Sequence, residues 1–311
     1  MARRPLLVLH PGALGDLVVA FPLLRRLRRA IGALDLLCQD AVGALAVHLA
    51  VVDRRFSLES ARFSGLYQDG VTDSALAAFL AGYDRFLLVA RSDAPARAAR
   101  AVPGLRVWRI PPRPPASEPI HVADYLEQRL LQHGFSLPDV PADDSYHIPS
   151  PFAGAPVLLH PGSGGARKNW PLDRFRTVLE QLRSDGMALQ FLLGPAELHL
   201  AQRLADMGPV TMPENLTALA DTLGAAAGFI GNDSGVTHLA AFLGLPTVAV
   251  FGPSAPVRWR PIGPAVKVVG GEGATCAPCF EAEWRSDCEV RECLLRVLPD
   301  QVVAAFWKVL Q

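Results

Sequence analysis

The sequence predicts an α/β protein built from two doubly wound domains, and three observations carry that prediction. Apolar runs of strand length alternate with amphipathic stretches along most of the 311 residues. The tripeptide His-Pro-Gly follows an apolar run twice, in "VLHPGALGD" (8–16) and in "LLHPGSGGARK" (158–168). Between residues 136 and 156 the pattern lapses into the irregular "SLPDVPADDSYHIPSPFAGAP" and then restarts. Alternation of this kind builds parallel sheets covered by helices on both faces, and 311 residues suffice for two cores. The expected domains are 1–150 and 151–311, the last helix being an element that can pack back on the first domain.

Taken in order, residues 5–10 are a continuous apolar strand. Residues 17–31 place Leu17, Phe21, Leu24, Leu27 and Ile31 on one helical face, and Gly32 ends the helix. Strands at 85–90 and 106–110 continue the alternation, Cys38 sits in an apolar strand as plain core, and Arg54 and Arg55 follow a short strand. "PPRPPASEP" (111–119) is a proline-rich loop, followed by the helix "HVADYLEQRLLQHGF". After the link come strand 157–160, helix 171–185, strand 187–193, helix 195–207, a short strand near 210 and helix 214–226. Strand 228–231, helix 235–243 and strand 246–251 complete the pattern. Each His-Pro-Gly thus follows the first strand of its own sheet, at the carboxyl ends where doubly wound folds bind ligands.

Charge excludes several function classes. Thirty Lys and Arg balance thirty Asp and Glu, with 17 basic against 15 acidic before residue 150 and 13 against 15 after it. No field attracts nucleic acid or an anionic bilayer. The apolar run at the start is too short for a signal peptide core. The charge-free stretch 235–257 is broken by "GLP" into helix and strand, so the expectation is a cytoplasmic protein with at most peripheral membrane contact.

The two copies of the motif differ chemically. In "HPGSGGARKNWP" Gly162, Gly164 and Gly165 allow close approach of backbone to an anion, Ser163 adds a hydroxyl, and Lys168 adds a compact positive charge. The chain has only three lysines among its thirty basic residues, which makes one beside this loop notable. A second anion-friendly stretch is "IGNDSGVTHLAAFLGLP", where Asp233, Ser234 and Gly235 stand between a strand and a helix start and His238 lies in the first turn. Taken singly, each has a plain reading as helix cap or packing residue; together they suit a diphosphate and a nucleotide. No G-x-G-x-x-G follows either first strand, and neither G-x-x-x-x-G-K-[ST] nor an Asp-x-Asp pair occurs. The reading is therefore neither a dinucleotide site nor a kinase-like phosphate loop, and it offers no acidic clamp for a divalent ion.

"GALGDLVVAFPLLRRLR", "LLHPGSGGARKNWPLDRF", "FLLGPAE", "GNDSGVTHLAAFLGLPTVAVFGPSAPVRW" and "CAPCF", in that order, resemble glycosyltransferase family 9, the bacterial heptosyltransferases. The resemblance covers nearly the whole chain. It implies the GT-B fold, two Rossmann-like domains facing across a cleft, and a metal-independent, inverting transfer with no catalytic cofactor. It further implies Asp16 as the general base for the acceptor hydroxyl, and Gly162, Ser163, Gly164 and Lys168 at the donor diphosphate. Glu197 would meet the ribose, and Asp233, Ser234, Gly235 and His238 the phosphates and sugar. The donor is expected to be ADP-heptose and the acceptor a lipopolysaccharide core or related glycan, with the enzyme cytoplasmic or peripheral at the inner membrane. Arg25, Arg26, Arg28, Arg29, Arg54 and Arg55 read mostly as solvated helix face, and no acceptor site is assigned.

Cys276, Cys279, Cys288 and Cys293 crowd into one segment. In a cytoplasmic protein such a cluster reads as metal ligands more readily than as disulfides, against the alternative of a reduced, metal-free loop. Some family members that modify proteins carry an iron cluster here, so a structural zinc or iron is the expectation. Other readings remain open: a family 9 transferase with a different nucleotide-sugar or a protein acceptor, a nucleotide-sugar epimerase of the same fold, and a non-catalytic nucleotide-sugar-binding protein.

Overall fold

The computed structural model describes residues 4–68, 74–138, 154–270, 277–279, 288 and 290–311. They fall into two compact units, one holding 4–115 with 122–138 and the other holding 116–121 with 154 onward.

In the first unit the elements run β1 (Leu6–Leu9), α1 (Leu14–Ile31), β2 (Leu34–Cys38), α2 (Asp40–His48), β3 (Arg54–Ser57), α3 (Ser74–Leu80), β4 (Arg85–Val89), α4 (Ala94–Arg100), β5 (Arg106–Ile110) and α5 (Val122–Gln132). All strand pairs are parallel, in the order β3-β2-β1-β4-β5. The chain goes from β1 outward to β3, then returns to the other side of β1, so the switch point lies between β1 and β4. β1 is wholly buried, as an apolar strand with helices on both faces must be. The amphipathic face read from the sequence is the buried face of α1, and Gly32 at φ 95° closes that helix by donating to Arg28 O at 2.8 Å.

Two expectations need correction here. α1 begins at Leu14 and not at Leu17, so Asp16 lies inside the first turn. Arg54 and Arg55 do not follow a strand; they belong to β3, an edge strand whose exposed face tolerates them. Arg54 donates to Asp35 on β2 (2.6 Å), as does the Tyr83 hydroxyl (2.7 Å), which satisfies a carboxylate that is only 1% exposed. Phe56, Phe63 and Phe79 pack edge-on around a 3₁₀ turn at Ala61–Tyr67, with Tyr83 tilted against Phe79. Arg26 pairs with Glu127 on α5 (2.8 Å) and Arg28 with Asp53 (2.7 Å), so these two arginines brace the unit.

The second unit holds β6 (Val157–His160), α6 (Leu172–Ser184), β7 (Leu189–Leu192), α7 (Ala201–Ala205), β8 (Val210–Thr211), α8 (Leu216–Gly224), β9 (Gly228–Asn232), α9 (Gly235–Phe242), β10 (Thr247–Phe251), α10 (Pro256–Trp259), β11 (Val266–Gly270), α11 (Glu292–Leu295) and α12 (Pro299–Val309). Its parallel sheet runs β11-β10-β9-β6-β7-β8. The switch point lies between β6 and β9, and the core gathers Trp170, Phe175, Phe191 and Phe306 with the strand valines and leucines. The helix expected over 195–207 is instead a 3₁₀ turn, Pro195–Leu200, followed by α7. The cause is Glu197, whose carboxylate folds back to accept from Gly194 N at 3.0 Å and tightens the first turn. α12 packs on α6, β10 and β11 within this unit.

Residues 116–121, which run from the end of the proline-rich loop (111–119) to the first residue of the helix expected after it, cluster with the second unit. The buried Arg258 donates to Glu118 O (2.7 Å), and His121 Nε2 donates to Arg260 O (2.9 Å). Among the described residues no helix is long and apolar enough to cross a membrane. The expected link at 136–156 lies largely outside the described residues.

Candidate functional site

In the second unit the loops after β6 and β9 flank the switch point, and the buried Asn232 ties them together. Its Nδ2 donates to Pro161 O (2.8 Å) and Gly162 O (3.2 Å), and its Oδ1 accepts from Trp170 N (2.9 Å). This residue was inside the quoted motif yet carried no assignment; its only sequence signal is its place between the strand and Asp233.

Gly162 is demanded by close approach. A Cβ there would stand 2.0 Å from Glu197 Oε1. Gly164 and Gly165 meet nothing within 4 Å, so they leave open space beside the loop. The Ser163 hydroxyl faces Gly165 O (2.7 Å) and Asn169 Oδ1 (2.6 Å), which curls the loop on itself. Arg291 Nη1 donates to Ala166 O (3.1 Å) and Asn169 O (3.2 Å) from outside, a clamp with no signal in the sequence.

The curl delivers Lys168 to Asp233. Nζ donates to Oδ2 at 2.8 Å, while His238 Nε2 lies 3.8 Å from Oδ1. Burial by itself would raise the Asp233 carboxyl, but the His238 hydrogen bond and the Lys168 charge outweigh it and hold the group well below the usual carboxylate range. Ser234 is the N-cap of α9 and accepts from Thr237 N at 3.3 Å; Gly235 is the first residue of that helix. An ammonium with three donors, a helix N-terminus and a nearby imidazole thus converge at one switch point, an arrangement suited to a phosphate-bearing ligand. Glu197 is buried (6% exposed), its carboxylate held between Gly194 and Gly162.

In the first unit the loop after β1 carries Asp16 into the first turn of α1, half-buried, and the N-cap Ala13 has no side-chain cap. The aspartate is therefore not spent as a cap. Gly12 lies under it: a Cβ at Gly12 would be 2.8 Å from Asp16 Cβ and 2.6 Å from His10 Cε1.

Residues 136–289 match the model for glycosyltransferase family 9 (heptosyltransferase). The chain belongs to glycosyltransferase family 9. A lipopolysaccharide heptosyltransferase 1 of Pseudomonas aeruginosa is 31% identical over 171 residues, covering 52% of this chain and 48% of that protein. The match thus spans about half the length of that curated relative. A family 9 glycosyl transferase of Veillonella parvula superposes with a TM-score of 0.73 at 18% identity, over 100% of this chain and 98% of the other. The Escherichia coli ADP-heptose heptosyltransferase II gives 0.71 at 18%, over 98% of both. The fold of this family 9 chain is accordingly α/β and GT-B.

Of the four cysteines, Cys276 lies outside the described residues. Cys293 is buried, and Cys279 and Cys288 are partly exposed. Among the described residues no three His, Cys, Asp or Glu side chains gather as a metal site, so Cys279, Cys288 and Cys293 do not fit a metal by themselves.

Proposed function

We propose that this chain is an inverting, metal-independent glycosyltransferase that moves a sugar, heptose from ADP-heptose, onto a lipopolysaccharide core or related glycan at the cytoplasmic face of the inner membrane. The observation that carries the reading is the convergence of Lys168, Asp233 and His238 on the switch point between β6 and β9. Direct displacement at an anomeric carbon needs a carboxylate for the incoming hydroxyl and positive groups for the departing diphosphate. The first unit offers Asp16 for the one task; the second offers Lys168 and the amino end of α9 for the other. Glu197, held rigidly beside Gly162, is assigned to the ribose.

Thermal-shift measurements with ADP-, UDP-, GDP- and dTDP-sugars test the donor. A ligand at about 100-fold over its Kd adds about 2.7 kcal/mol to the folded state, so the ADP-sugar should raise the melting temperature well above the other three. A rise with a different nucleotide would reassign the donor; no rise with any would remove the nucleotide-sugar reading. A structural zinc or iron on Cys276, Cys279, Cys288 and Cys293 would serve stability and not transfer. About one equivalent of metal in protein purified without chelator supports it, and metal-free protein removes it.

A further inference from the structure

The glycine loop after β6 is anchored at both ends. Asn232 holds its entrance at Pro161 O and Gly162 O, and its exit is fixed by the buried Trp170, whose N donates to Asn232 Oδ1 (2.9 Å) and whose Nε1 donates to Val297 O (3.1 Å). Between these anchors the backbone is inherently loose. Gly164 and Gly165 have open space around them and more conformational freedom to lose than any other residue type. The turn that follows, Ala166–Lys168, is a 3₁₀ turn of three residues, a form with poor hydrogen-bond geometry of its own.

Arg291 supplies support from another part of the chain. Its Nη1 donates to Ala166 O at 3.1 Å and to Asn169 O at 3.2 Å, so one guanidinium arm spans the turn from its first residue to the residue just past it, with Lys168 between. The arm has a rigid mount. Arg291 O accepts from Leu294 N (2.9 Å) and Leu295 N (3.1 Å) as α11 begins, and the fully buried Leu294 packs so tightly on the end of β10 that a Cβ at Gly252 would stand 2.5 Å from its Cγ. Arg291 itself takes a left-handed backbone, φ 48° and ψ 47°, which is strained for a long side chain. Strain of this kind persists where the surroundings over-determine it, and it gathers at functional positions.

We infer that Arg291 is a positioning residue of the donor loop: by tying Ala166 O to Asn169 O it holds Lys168 in place before a nucleoside diphosphate arrives. This rests on the reading of the loop as the phosphate site. A loop already in its binding shape loses little order when the ligand comes, whereas a loose one binds with an affinity reduced by the fraction of time it spends in that shape. Arg291 therefore sets donor affinity, and Lys168 remains the group that meets the phosphates.

Arg291→Asn tests it on the full chain, because asparagine accepts a left-handed backbone but is too short to reach the loop carbonyls. Hydrogen exchange read by mass spectrometry should quicken over residues 164–169, where Lys168 N and Asn169 N are bonded within the turn at 2.8 and 3.2 Å, and stay unchanged over β9. ADP affinity measured by calorimetry should fall about tenfold, as when the competent fraction drops to about a tenth, with the melting temperature close to wild type. Arg291→Lys, whose ammonium can donate to both carbonyls, should recover most of that affinity. The loss should shrink when Lys168 is already alanine, since effects that act through one another do not add. Unchanged exchange, or unchanged ADP affinity in folded Arg291→Asn, overturns the inference. So does a full tenfold loss on top of Lys168→Ala, which would make Arg291 a donor contact in its own right. If the wild type binds no ADP, the phosphate reading itself has failed, and the positioning role falls with it even where exchange quickens.

Discussion

Asp16→Asn is expected to lower turnover by roughly 10²- to 10⁴-fold while leaving the fold and donor affinity nearly intact. That range corresponds to about 3 to 5 kcal/mol of transition-state stabilisation. The competing account, that the aspartate merely caps a helix, is weakened because α1 starts at Leu14 and its N-cap makes no side-chain bond. Losing the charge in the first turn costs the helix at most about 2 kcal/mol through its dipole in a partly buried site, too little to explain a loss on the predicted scale. Asparagine keeps the shape but cannot take the hydroxyl's proton. Calorimetric donor affinity should not follow the rate, since the residues assigned to the donor all lie in the second unit. Wild-type turnover in Asp16→Asn would withdraw the catalytic role from the first His-Pro-Gly loop.

What the sequence showed and what it hid divide along physical lines. β6, β9 and β10 were legible because strands buried on both faces write continuous apolar runs, and α1 because its apolar residues recur at helical spacing. β3 ("RRFS"), α3 and α4 ("APARAAR") were not, being four to seven residues long and half exposed, too short to show a period. The glycine loop and the "NDSG" turn were read as anion sites from local chemistry alone. Their coupling through Asn232 and the clamp of Arg291 on the glycine loop were hidden, since both act across 62 or more residues on backbone atoms that carry no side-chain signature. The same holds for Arg258, a buried arginine whose partner is the backbone of residues 116 and 118. His10 and His160 looked alike in sequence; only hydrogen-bond direction separates them.

Lys168→Ala should weaken donor binding and slow turnover by about 10²-fold, the worth of one charged group on a developing negative charge. It should also destabilise the protein, and the two effects can be separated. In the wild type Lys168 Nζ is 2.8 Å from Asp233, whose side chain is only 5% exposed, so alanine leaves a buried carboxylate with His238 as its nearest remaining partner. Removing one member of a buried pair can cost about 3 to 5 kcal/mol. The sign of its pH dependence follows from Asp233: a carboxyl held below its ordinary value of 3.8 gives stability that is full above that pH and is lost as the pH falls through the folded value. The stability gap between wild type and Lys168→Ala should therefore be widest near neutrality and close in acid. Lys168→Ala combined with Asp233→Asn removes the stranded charge and should recover much of the stability, but not the rate, because the leaving diphosphate still lacks its cation. Lys168→Arg should recover only part of the rate, since a planar fork does not replace a compact ammonium in a loop this tightly curled. If Lys168→Ala keeps both donor affinity and turnover, the pair with Asp233 is structural and the second loop is not a phosphate site.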